Sequence, residues 1–239
     1  MRNDLNKKVY KDKDNGNSNM LPGDLKRSPD DYFSKTIVFI DAGFLSKLSK
    51  YFGKGNYINY DIIKLAENIS RKNDLFCEKI FYYTAPPFQS ENPSDDEKRR
   101  KDNYDNFVKK ITENLKIILR EGRCQRLKLG GKFTYRQKGV DTLMAIDLVS
   151  IPLKFPKVKK IILIASDSDF VPVVKQLDEF GIEIILYTYF TKRRDTNFSR
   201  SFHLVNAVSK YVRLTKEDFD NSKLNKENKD EKRFFRKEA

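Results

Sequence analysis

The chain has 239 residues, of which 38% are hydrophobic, and carries 48 Lys and Arg against 34 Asp and Glu, a formal net charge of +14. That is enough for one ordinary domain with a real core and tails, and the basic excess directs attention to polyanionic partners such as nucleic acid. Two cysteines and one histidine exclude a Cys/His zinc site and make any Ser-His-Asp triad depend on His203, which sits in an amphipathic stretch typical of packed or surface histidine. No apolar run approaches the ~20 residues of a membrane span or forms an early signal segment, and the sparse cysteines fit a reducing cytoplasm.

Residues 1–34 are rich in Lys, Asp and Asn, with Pro22, Gly23 and Pro29, and read as a disordered leader. The folded region is expected over 35–221. It opens with a strand over 36–41, followed by a helix in DIIKLAENISRK that Asp61 is placed to cap. A second strand, EKIFYYTAP, leads through the polar stretch QSENPSDDEKRR, expected as a loop, into a long helix NYDNFVKKITENLKI. IILREGRCQRLKLGGKFTYRQ alternates around Gly130-Gly131 and predicts a β-hairpin or edge excursion. VDTLMAIDLVSIPL predicts an apolar helix cut by Pro152. After it come a strand KKIILIAS, a helix FVPVVKQLDEF stopped by Gly181, a strand IEIILYTY and a helix SRSFHLVNAVS. From Ser222 to Ala239 the Lys/Glu/Asn-rich sequence ending KRFFRKEA reads as a basic disordered tail. Strands separated by helices imply right-handed crossovers and an α/β fold with a mostly parallel central sheet.

Two strands stand out because they are continuous apolar runs that end at aspartate. Ile37–Ile40 and Ile161–Ile164 have the pattern of strands buried on both faces. Asp41 follows the first; Asp167 and Asp169 follow the second; Asp141 and Asp147 lie in a third segment, QKGVDTLMAID. Ligands of open α/β sheets gather outside the carboxyl ends of the strands, so these carboxylates are candidates to converge there. Each could equally be a helix N-cap. Asp167 and Asp169, two apart, would point the same way in extended backbone. Ser166 and Ser168 add hydroxyls. Hard oxygen ligands of this kind suit Mg²⁺ or Mn²⁺. Asp141 and Asp147 lie about 120° apart around an ideal helix, so Asp147, set among apolar neighbours, reads as an outer ligand or a structural anchor.

VFIDAGFL, QKGVDTLMAIDLV and LIASDSDFVPVV, in this order and at these separations, resemble the NYN domain family, the LabA-like branch of the PIN-like nuclease superfamily, over roughly 35–213. The resemblance implies a PIN-like three-layer α/β/α sandwich and metal-dependent ribonuclease activity. By motif position it implies Asp41, Asp141, Asp167 and Asp169 as the catalytic metal site, with Asp147 as the family's second helical aspartate. Two departures stand in this chain. Gly43-Phe44 lies where many members carry Asn, and Ala165-Ser166 replaces Ser-Gly before DSDF.

The residues and the resemblance together predict hydrolysis of RNA phosphodiester bonds, with an endonuclease expected, at one or two Mg²⁺ or Mn²⁺ ions. Lys138, Arg136, Arg99, Arg100, Arg193 and Arg194, with Lys98, Lys101, Arg123, Arg126, Lys128 and Lys192 nearby in sequence, are candidates to hold the RNA backbone. Tyr82, Tyr83 and Phe88 are candidates to stack on unpaired bases. The competing reading is a non-catalytic RNA-binding or regulatory module of the same fold. A phosphatase of the haloacid-dehalogenase type would want a second Asp where Gly43 stands. A monomer and a homo-oligomer are equally compatible with the sequence.

Overall fold

The computed structural model describes residues 33–191, 198 and 202–224. Arg193 and Arg194, nearly all of the expected leader and most of the expected tail lie outside these residues. In chain order the elements are β1 (Ser34–Asp41), α1 (Ala42–Phe52), α2 (Ile62–Arg71), β2 (Leu75–Thr84), α3 (Asp95–Thr112), β3 (Ile117–Glu121), β4 (Arg123–Leu129) and β5 (Lys132–Lys138). They continue with α4 (Val140–Val149), α5 (Ile151–Lys154), β6 (Lys160–Ile164), a 3-10 turn (Ser168–Phe170), α6 (Val171–Glu179), β7 (Glu183–Thr188), α7 (Phe202–Ala207), β8 (Lys210–Arg213) and α8 (Lys216–Asp220).

Six strands form one sheet in the order β3-β2-β1-β6-β7-β8, every neighbouring pair parallel. β1 and β6 lie at its centre, which is why each carries an unbroken buried apolar run, Ile37–Ile40 and Ile161–Ile164. Alternation along β1 sends Val38 and Ile40 to one face and Ile37 and Phe39 to the other, all fully buried. The first face packs on α1 and α2 through Leu45, Leu48, Leu65 and Ile69. The second packs on α4 and α6 through Met144, Leu148, Val174 and Leu177. The result is a three-layer α/β/α sandwich. Burying one such aliphatic or aromatic side chain contributes about 1.5–3 kcal/mol, so the central strands anchor both layers.

Several elements differ from what the sequence pattern predicts. The stretch DDEKRR is the first turn and a half of α3, because Ser94 and Glu97 form a reciprocal capping box that starts the helix ahead of it. Ile117–Glu121 is a parallel edge strand of the main sheet rather than part of the hairpin. The apolar segment after Gly139 breaks at Ser150, and Pro152 falls in the first turn of α5, where its missing N–H costs nothing. Finally, β8 and α8 follow α7; Phe219 of α8 is fully buried against the first layer, and Ser222 beyond it is buried too, its carbonyl accepting from the Asp61 N–H at 2.8 Å.

Candidate functional site

The strand order reverses between β1 and β6: the chain runs outward from β1 through β2 to β3, and from β6 through β7 to β8. A crevice outside the carboxyl ends of two such strands is where open α/β sheets bind ligands. Asp41 is the last residue of β1, and Asp167 follows β6 by three positions. Both are also caps. Asp41 accepts from the Phe44 N–H at 3.0 Å at the start of α1, and Asp167 accepts from the Asp169 N–H at 3.0 Å in the 3-10 turn. Cap and site placement therefore coexist in the same residues. Asp169 lies inside that turn and not in extended backbone, so the two carboxylates are related by the turn geometry rather than by strand alternation.

Asp141 reaches the same edge by another route. The β4–β5 hairpin leaves the sheet after β3 and returns at Gly139, whose φ of 80° is open to glycine and lets α4 begin abruptly. Asp141 then occupies the first turn of α4. Gly122 secures the hairpin's base: its N–H donates to Thr84 O at 2.9 Å, and a Cβ there would lie 2.5 Å from Lys138 O.

The charges of the four carboxylates bear on one another. Burial raises the Asp41 carboxyl pKa, opposed by the Phe44 N–H and reinforced by the charge of Asp141. Desolvation and the charges of Asp167 and Asp169 raise that of Asp141. Asp141 is thus the member coupled to all three others. Among the described residues, no three Asp, Glu, His or Cys side chains stand tightly enough together to enclose an ion. The carboxylates gather at one edge with their donor atoms spread.

Two neighbours of Asp41 escaped the sequence reading. Lys47, one turn and a half along α1, lowers the Asp41 pKa by its charge. Gln137 comes from the end of β5: a Cβ built on Gly43 would lie 3.2 Å from Asp41 Oδ1 and 3.4 Å from Gln137 Oε1. Glycine at 43 leaves space where a side chain would crowd both groups. Lys47 could have been found from helical spacing, whereas nothing local ties Gln137 to Asp41.

Asp147 lies apart from these groups. It is 2% exposed and accepts from Tyr83 Oη at 3.1 Å and Arg120 Nε at 2.7 Å, with Lys154 Nζ at 3.4 Å. Tyr83, 0% exposed, stacks with Phe39 and Phe81, and burial followed by Asp147 pushes its phenol far up. Asp147 therefore ties α4 to β2 and β3. This overturns base stacking by Tyr83. Tyr82 is buried as well, in the opposite layer. Phe88 is half-buried beneath the Arg126 guanidinium, 4.7 Å from its ring centre.

Of the remaining predicted residues, Ser168 is exposed at the start of the 3-10 turn, and Arg136 and Lys138 are exposed on β5. Arg99 and Arg100 both pair with Asp96 on α3. His203 is exposed on α7. A cavity of about 710 Å³, bordered by Tyr57, Tyr60, Tyr82 and Phe107, contains none of the four aspartates.

The family model of the NYN domain matches residues 35–215, most of the chain and all three acidic segments. The chain belongs to the NYN domain family. Its six-stranded parallel sheet between helical layers is the PIN-like α/β/α arrangement. No curated protein matches this NYN chain. A crystal structure of a protein of unknown function from Vibrio parahaemolyticus aligns with 79% of this chain and 97% of that one, at 16% identity and a TM-score of 0.49, a likeness too distant to carry an argument. Among the described residues of the NYN domain, no helix is long and apolar enough to cross a membrane.

Proposed function

We propose that the protein is a LabA-like metal-dependent ribonuclease that cuts RNA phosphodiester bonds endonucleolytically. The observation that carries the reading is the meeting of Asp41, Asp141, Asp167 and Asp169 at the strand-order reversal, where three separate chain segments deliver carboxylates to one edge. Four carboxylates at one edge, with those of Asp41 and Asp141 raised by burial and by their neighbours' charge, fit a hard divalent cation, Mg²⁺ or Mn²⁺, which would relieve their repulsion. Asp41, Asp141 and Asp167 would hold it, with Asp169 acting directly or through water. When bound, such an ion lowers the pKa of a water molecule and offsets charge on the phosphoryl group.

The chain's own groups do the rest. The N–H groups of Phe44 and Asp169 fix the orientation of Asp41 and Asp167. Lys138 and Arg136, exposed on the strand that leads into Asp141, would hold the flanking phosphates. Asp141, Asp167 and Asp169 are exposed and the large cavity lies elsewhere, so an RNA backbone can cross the edge without entering a closed end pocket, which favours internal cleavage. Two free cysteines, Cys77 and Cys124, agree with a cytoplasmic protein.

The spread of the donor atoms favours one other reading, a non-catalytic RNA-binding or regulatory module. A labelled RNA with unpaired and hairpin regions, incubated with Mn²⁺, Mg²⁺ or EDTA beside Asp167→Asn, separates the two. The ribonuclease reading expects metal-dependent cuts that Asp167→Asn reduces at least ~100-fold, by analogy with loss of one strong electrostatic catalytic group. Tight binding with no cleavage under any metal would establish the regulatory module instead.

A further inference from the structure

The β4–β5 hairpin stands outside the main sheet and, among the described residues, pairs with no third strand. All seven residues of β5 are exposed. A lone two-stranded ribbon gains little stability by itself, and residues 123–138 contain six cations and no acidic residue. Lys and Arg on a strand edge also discourage unwanted pairing between sheets. That accounts for the charge but not for the rings beside it.

Those rings are Phe133 and Tyr135, 55% and 45% exposed. The antiparallel register pairs Lys128 with Phe133, Arg126 with Tyr135 and Cys124 with Gln137, which puts all six on one face of the ribbon. The Arg126 guanidinium lies 4.6 Å from the Phe133 ring centre and 4.7 Å from that of Phe88. Arg100 of α3 lies 5.9 Å from the Tyr135 ring, whose centre is 5.9 Å from Phe88. Arg126 and Phe88 back these rings, and the exposed remainder of Phe133 and Tyr135 is open for a flat base to stack on. The same face ends at Gln137, beside Asp41.

We infer that this face of the β4–β5 ribbon is a stacking platform for unpaired RNA bases, which feeds the substrate to the carboxylate edge as a single strand. The inference rests on the ribonuclease reading for what happens at that edge. Paired bases in an A-form helix present no open π-face to these rings, whereas splayed bases of a single strand do. Arg126 and Arg100 hold the aromatic groups in place and add cation–π attraction and phosphate contacts. The substrate class is therefore RNA with an unpaired stretch beside the cut.

Binding is measured on the full-length protein by fluorescence anisotropy in EDTA, with a labelled unpaired oligoribonucleotide and the same strand annealed to its complement, across a salt series. The wild type should prefer the single strand. The F133A/Y135A double variant should weaken single-strand binding at least ~10-fold, as loss of base–aromatic stacking does, with an unchanged salt slope and unchanged duplex affinity. Arg136→Gln, on the other face, should lower affinity for both forms and reduce the salt slope by about 1. Equal wild-type affinity for single strand and duplex, or an F133A/Y135A variant that binds the single strand like wild type, would overturn the platform. Because these assays contain no metal, they are independent of cleavage: stacking loss in a protein that never cuts RNA would sink only the ribonuclease reading, and cleavage untouched by F133A/Y135A with unchanged binding would sink only the platform.

Discussion

Replacing Asp147 by alanine tests whether this carboxylate is a structural tie rather than a site ligand. The substitution leaves Tyr83 Oη, on a side chain that is 0% exposed, without its acceptor, and stranding a buried donor costs about 1–3 kcal/mol. It also removes the 2.7 Å bond from Arg120. With its side chain 36% exposed, Arg120 recovers water when unpaired, so this loss is nearer ~1 kcal/mol than the full cost of a buried charge. Lys154, 54% exposed, adds little. The expected destabilisation is about 3 kcal/mol, equivalent to a fall in Tm of roughly 6–12 °C for a domain of this size. Urea unfolding followed by circular dichroism, extrapolated linearly, gives the number. Asp147→Asn keeps an acceptor for Tyr83 and should cost about half as much. In a double-mutant cycle, Asp147→Ala and Tyr83→Phe should be non-additive by at least ~0.5 kcal/mol. A cost below ~1 kcal/mol for Asp147→Ala, or additivity in the cycle, would refute the network as the anchor of α4.

Gly122→Ala should cost at least ~2 kcal/mol, because its Cβ would lie 2.5 Å from the Lys138 carbonyl and 2.7 Å from Val140 Cγ2, an overpacking against backbone that cannot yield cheaply; thermal unfolding beside the neutral control Gly130→Asn, at a turn with φ of 56° and open space, checks it. Metal and pH should be linked. The folded Asp41 and Asp141 pKa values lie above the ordinary 3.8, so their stabilising contribution is complete below that value and is lost as pH rises through the raised folded values, leaving the metal-free protein carrying carboxylate repulsion at neutral pH. Added Mn²⁺ should therefore raise Tm more at pH 7.5 than at pH 4.5, and an equal rise at both, or none at either, would contradict the coupled cluster.

Much of the fold could be read from local pattern. Ile37–Ile40 and Ile161–Ile164 declare themselves as strands buried on both faces because no polar residue interrupts them, and Asp61, directly before the apolar-faced helix that starts at Ile62, caps it as the pattern says. The acidic candidates were legible for a similar reason: an aspartate directly after a buried strand stands at a sheet edge whichever neighbours the strand takes. Elements whose identity depends on a partner were not legible. β3 looks like half of a hairpin until β2 pairs with it, and four-residue β8 carries too few residues for a period.

The sequence by itself determined the layers, the acidic residue set and the basic surface, since these follow from periodicity, strand ends and charge count. Tertiary structure decided which carboxylates lie at one edge. The apolar neighbours of Asp147 mark it as an outer ligand or anchor, but only the fold shows that it turns into the protein to meet Tyr83 and Arg120, residues 64 and 27 positions away, while Asp141 faces Asp167 and Asp169. Helix phase sets the angle between them, but only the packing of α4 on the sheet sets where that angle points. The rings of Phe133 and Tyr135 likewise became a single surface with Phe88 and Arg100 only once the hairpin folded back beside α3.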